Sequence, residues 1–137
     1  MTEEKFKKLR SFYQDTLNID GDDARKMQNL ARNLPGLHQM CIGQVKDQAT
    51  ETNNLNVLME QRHGALYKKI LKDDARSLSN HAINAMIESD PSFTKLKIEL
   101  KEQVTMLNFF ESTIVNIKST SFQLKNYVEL KKFFSGD

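Results

Sequence analysis

The stretch from Glu60 to Arg76, "EQRHGALYKKILKDDAR", brings together Arg62, Lys68, Lys69, Lys72 and Arg76, with His63 and Tyr67 among them. Cations in such a cluster suit phosphate oxygens, and an interleaved aromatic ring suits the stacking of a nucleobase. On a helix, Lys68 with Lys72, Lys69 with Lys72, and Lys72 with Arg76 are neighbours three or four residues apart. Asp73 and Asp74 offset part of the charge. The plainer reading of the same residues is a solvated helical face that binds nothing. The formal net charge is only +2, so affinity for a polyanion has to come from a local patch of this kind. A closed oligomer would repeat the patch and turn weak single sites into strong multivalent binding.

No other residues form a reaction centre. The chain has no glycine-rich phosphate loop, no G-x-S-x-G and no H-E-x-x-H. His63 and His81 stand alone, and His38 with Cys41 shares a helical face without a second pair of metal ligands. "DGDD" (Asp20–Asp23) opens like a calcium loop, but Ala31 stands where the closing glutamate would be, which leaves a helix cap as the expected role. The expectation is a protein without catalytic residues, metal or cofactor. The single Cys41 cannot form an intrachain disulfide; it fits a reducing cytosol and reads as a small core hydrophobe. No apolar run approaches the ~20 residues of a membrane span, and "MTEEKFKKLR" lacks the apolar core of a secretory signal.

The elements that must position the basic patch are helices. Two prolines and five glycines in 137 residues, with no hairpin dipeptide between alternating apolar runs, predict an all-α fold of a single domain. Phe6, Leu9, Phe12 and Tyr13 give residues 1–18 one apolar helical face. Asp20 or Asp22 is expected to cap the next helix, and Pro35-Gly36 to break it. Leu37, Cys41, Val45, Thr52, Leu55, Met59, Leu66 and Ile70 then form a helical stripe to about Ala75, with a polar middle, "QVKDQATETNN". A short helix is expected over Ala82–Glu88. Residues 1–76 thus carry the candidate patch, and residues 90–137 form a separate helical segment.

That last segment begins at "ESDPSF", with Asp90 as cap and Pro91 at the first helical position. Phe93, Leu96, Leu100, Leu107, Phe110, Ile114, Ile117, Leu124 and Val128 step by three and four, close to a heptad repeat. Val104, Phe109, Val115, Phe122, Tyr127, Phe133 and Phe134 widen the apolar face. A helix of about 44 residues is ~66 Å long, against a radius of gyration of ~14 Å for a compact chain of this length. Either the helix breaks near "NIKSTS" (Asn116–Ser121), or other subunits cover it, or both. The expected interface between subunits comprises Leu100, Leu107, Phe110, Ile114, Ile117, Phe122, Leu124, Val128 and Phe133. The alternative is an intrachain bundle core.

The stretch "SDPSFTKLKIELKEQVTMLNFFESTIVNIKSTSFQLKNYVELKKFFSG" resembles the UvsY family, recombination mediators of T-even-type phages. The resemblance lies in Asp90, Lys95, Leu100, Leu107, Phe109, Ile117, Lys118, Ser119, Phe122, Lys125, Phe133 and Gly136, and most specifically in "NIKSTSF" and the terminal "FFSG". It implies an all-helical protein assembled through its C-terminal region into a closed ring of six or seven subunits. It also implies sequence-independent binding of single-stranded DNA in the cytoplasm of an infected bacterium. The implied partners are a RecA-class phage recombinase, which the family helps to load, and the phage single-strand-binding protein that it displaces. The family's DNA contacts centre on a Lys-x-Arg motif in the middle helix. Arg62 matches its arginine, whereas Glu60 stands at its lysine. The rival expectation is a coiled-coil-like structural adaptor whose seam binds a partner protein, with no nucleic-acid role.

Overall fold

The structure, a computed structural model, describes residues 1–19, 23–73 and 78–136. Among these residues are four α-helices and no strand: α1 (Glu3–Thr16), α2 (Ala24–Asp73), α3 (Asn80–Glu88) and α4 (Pro91–Ser135). None of these helices is long and apolar enough to cross a membrane.

Side chains set the helix starts. The Thr2 hydroxyl accepts from Lys5 N and opens α1. Asp23 Oδ1 accepts from the backbone of Arg25 and Lys26, at 3.1 and 3.2 Å, and opens α2; the expected caps Asp20 and Asp22 lie outside the described residues. Ser79 Oγ accepts from Ala82 N and starts α3 two residues before the expected position. Asp90 caps α4 as expected, accepting from Ser92 N at 2.9 Å and Phe93 N at 3.3 Å, with Pro91 in the first turn. Gly136, at φ 76°, takes the left-handed conformation just past the end of α4.

The expected break at Pro35-Gly36 does not occur, and α2 runs through both residues. The reason is packing. Leu30, Leu34, Leu37 and Cys41 are all buried on one face, and a break would take half of them out of the core. Pro35 and Gly36 point to solvent, as does Ala31, so water can reach the carbonyl that the proline ring leaves without an N–H. Nor does α4 break at Asn116–Ser121. Thr113, Ile117, Thr120 and Leu124 are buried along one line there, and Thr113 Oγ1 donates to the Phe109 carbonyl at 2.8 Å. A buried threonine that satisfies itself one turn back behaves as a core residue.

The chain divides into two compact units, Met1–Asp47 with Met106–Asp137, and Gln48–Thr105. The core of the first comprises Phe6 and Tyr13 of α1, Leu30, Leu34, Leu37 and Cys41 of α2, and Met106, Phe110, Ile117 and Leu124 of α4. Phe6 meets Phe109 and Phe110 edge to face, with centroids 5.5 and 5.9 Å apart. The Tyr13 hydroxyl donates to Gln44 Oε1 at 2.6 Å, and the Cys41 thiol donates to the Phe110 carbonyl at 3.3 Å. Burial, followed by the neighbouring Cys41, pushes the Tyr13 phenol above its ordinary value; burial likewise pushes the Cys41 thiol up. The core of the second unit is Leu66, Ile83, Ile87 and Phe93, with Met59, Tyr67, Ile70 and Leu78 packed against it.

The inward line of α4 in the first unit is Met106, Phe110, Thr113, Ile117, Thr120 and Leu124. Phe110, Ile117 and Leu124, which the sequence places between subunits, are therefore buried within the chain's own core.

Candidate nucleic-acid interface

At about 100° per residue, the buried Leu66 sets the inward direction of α2 in the second unit. Arg62, Lys69, Lys72 and Lys68 then sweep from one flank of that direction round to the outer face, within an arc of about 120°. All four are exposed. Arg62 and Lys69, seven residues apart, lie within about 20° of each other. This is a ribbon of positive charge on one side of a helix, the arrangement that can track a phosphate backbone. Arg76 lies outside the described residues.

The two rings of the patch occupy the other flank. His63 and Tyr67 stack, with centroids 6.5 Å apart and ring planes at 20°, and His63 meets Phe93 at 5.9 Å. The Tyr67 hydroxyl donates to Asn80 Oδ1 of α3 at 2.7 Å. Both side chains are half-buried. The structure thus separates the cations from the rings that the sequence places among them. The rings pack against α3 and α4, and the cations face water.

One cation of the ribbon is held. Arg62 Nε donates to Ser92 Oγ at 2.8 Å, and that hydroxyl in turn donates to Asp90 Oδ1, the cap of α4. The hydrogen bond from Ser92, with the backbone N–H groups of Phe93 and Ser92 and the charge of Arg62, holds the Asp90 carboxyl below its ordinary range despite an opposing desolvation. Sequence reasoning missed Ser92. The segment Asp90–Ser92 reads only as a helix start, and nothing in sequence order links it to a position thirty residues earlier. Among the described residues, no group of three or more His, Cys, Asp or Glu is placed to hold a metal ion.

Of the expected interface residues, Leu100, Leu107 and Ile114 are half-buried, whereas Phe122, Val128 and Phe133 are exposed. Val115 and Phe122, each 64% exposed, and Phe133 at 77% share the face of α4 opposite Ile117, to within about 40°. Leu130 and Phe134 are exposed beside them. In the first unit α4 therefore carries two apolar faces, one in the chain's own core and one open.

A search of curated proteins by sequence finds no match. The fold is similar to the crystal structure of the bacteriophage T4 recombination mediator protein UvsY, with a TM-score of 0.75 over 97% of this chain and 98% of that one, at 19% identity. The family model for "Recombination, repair and ssDNA binding protein UvsY" matches residues 12–137. On that match, which covers nearly the whole sequence, the chain belongs to the UvsY family.

Proposed function

We propose that this protein is a non-catalytic recombination mediator that binds single-stranded DNA without sequence preference and helps a RecA-class recombinase assemble on DNA covered by single-strand-binding protein. The observation that carries the reading is the exposed ribbon of Arg62, Lys69, Lys72 and Lys68 on α2 in a chain of the UvsY family. Phosphates are its natural ligand, and contacts to the backbone carry no sequence information. His63 and Tyr67 flank the ribbon and contribute by fixing α3 and α4 against α2; Arg76 extends it in sequence.

The open face of α4, with Val115, Phe122, Phe133 and the neighbouring Phe134, is the surface proposed to join subunits into a ring of six or seven. A ring repeats a four-cation ribbon that is weak alone. The setting proposed is the cytoplasm of the infected bacterial host. The same open apolar face also supports the reading of a structural adaptor that docks a partner protein and leaves nucleic acid alone.

A salt titration of single-stranded DNA binding decides between the two. The mediator reading expects log affinity to fall linearly with log salt, by about 0.7 for each phosphate neutralised, and equally for oligonucleotides of different sequence. An oligomer with no affinity for single-stranded DNA at low salt would sink it and leave the adaptor.

A further inference from the structure

Arg62 differs from the other cations of its ribbon in being tied to another helix. Its Nε is bound to Ser92 Oγ at 2.8 Å, and Ser92 is bound to Asp90, whose carboxylate also caps the first turn of α4. Both ends of this relay lie in the second compact unit. The guanidinium has five donors in a fixed plane, and only Nε–H is engaged by Ser92, so both terminal nitrogens remain for a ligand. Lys69 lies seven residues along the same flank of α2. Lysine is a flexible point charge, whereas a planar fork held at Nε can meet a phosphate with two parallel bonds.

We propose that Ser92 and Asp90 are positioning residues for DNA binding: they hold the Arg62 guanidinium so that its two free nitrogens meet a backbone phosphate of single-stranded DNA. The inference rests on the mediator reading and adds to it a device for orienting one cation. The negative charge of Asp90 does not cancel the site. It sits at the positive end of the long helix α4, accepts from two backbone N–H groups there, and is offset by that dipole. Arg62 keeps its full charge toward solvent and loses only rotational freedom. An immobilised side chain need not be ordered again when the ligand arrives, which is worth roughly two- to tenfold in affinity.

The test is a double-mutant cycle on the full-length protein, read as oligo(dT) affinity over a salt series, together with hydrogen exchange at the arginine Nε–H by NMR without DNA. Ser92→Ala removes no charge, and the capping bonds from the backbone N–H groups of Ser92 and Phe93 to Asp90 survive it. It should therefore weaken binding roughly two- to tenfold with an unchanged salt slope. Ser92→Thr, which keeps the hydroxyl, should restore most of the loss. Asp90→Asn keeps a capping oxygen but weakens the hold on Ser92, and should fall between. In an Arg62→Ala background, which lowers the slope by about 0.7, Ser92→Ala should have no further effect. The Arg62 Nε–H should exchange more slowly than those of the exposed Arg10, Arg25 and Arg32, and Ser92→Ala should abolish the difference.

An equal effect of Ser92→Ala with and without Arg62 would overturn the positioning role, as would an Arg62 Nε–H that exchanges as fast as the others. Slow exchange lost in Ser92→Ala, combined with an Arg62→Ala protein that binds DNA as tightly as wild type, would overturn the proposal by placing Arg62 outside the DNA site, with the relay serving only to join helices. Wild type without affinity for oligo(dT) at low salt would instead be a failure of the mediator reading itself.

Discussion

Gln48 of α2 and Gln103 of α4 are joined twice: Gln48 Nε2 donates to the Gln103 side-chain oxygen at 2.6 Å and to its backbone carbonyl at 3.2 Å. Gln48 is 1% exposed, and its own Oε1 is buried without a hydrogen-bond partner among the described residues. A buried amide half satisfied in this way ties two helices in register at a cost in stability.

Replacing Gln48 by leucine should therefore leave stability within about 1 kcal/mol of wild type, because the bonds lost and the orphaned carbonyl removed are of similar size. Gln48→Ala, which also opens a cavity, should cost about 2 kcal/mol. Urea denaturation of the two variants checks this. A loss above about 2 kcal/mol for the leucine variant would show that the hydrogen bonds outweigh the orphaned oxygen.

Pro35 lies within α2 and on its exposed side. Alanine there restores a helical N–H and removes the ring's clash with the preceding turn. Pro35→Ala should raise stability by about 1–3 kcal/mol, seen as a higher melting temperature. No gain, or a loss, would mean that α2 depends on a bend at this point.

The two apolar faces of α4 should respond differently to charge. Phe110 is fully buried between Phe6, Tyr13 and Phe109, so Phe110→Ala should cost about 3–5 kcal/mol and Phe110→Asp should unfold the chain. Phe122→Asp with Phe133→Asp should leave the helical circular dichroism intact and reduce the particle mass in light scattering. A particle of unchanged mass would show that the open face does not join subunits.

The acid groups of the first core give a pH dependence with a definite sign. Burial raises Tyr13 above its ordinary 10.0 and Cys41 above its ordinary 9.0, so the folded chain holds protons that the unfolded chain releases. Their contribution is complete below about pH 9 and declines as pH rises beyond it. Tyr13→Phe should flatten that alkaline decline, and native Cys41 should resist alkylation at neutral pH because its thiolate is both rare and buried. Rapid native alkylation of Cys41 would contradict the packing around it.

Much of this fold is legible from sequence because its signals are local. Asp90-Pro91 announces α4 through the chemistry of one turn, and Phe6 with Tyr13 announces the buried face of α1 through their spacing. Pro35 misleads because helix propensity is weaker than the burial of Leu30, Leu34, Leu37 and Cys41 together. The inward line of α4 misleads by one position, at Met106 and Thr113 rather than Leu107 and Ile114. Apolar residues surround that helix, and a threonine bonded to its own backbone does not register as core. In the candidate site the cations are legible as a cluster. Their separation from His63 and Tyr67 is not, because it depends on where Phe93 and Asn80 pack, and these lie beyond a long stretch of chain.

The boundary between the two compact units falls at 47/48 and at 105/106, inside α2 and inside α4. A protease needs several residues of extended backbone to cut, and a helix interior does not present them. Neither unit can be freed whole by limited digestion, and neither can be expressed alone without leaving two helices truncated in mid-span. A proteolysis time course should therefore yield no stable fragment ending near Asp47 or Thr105.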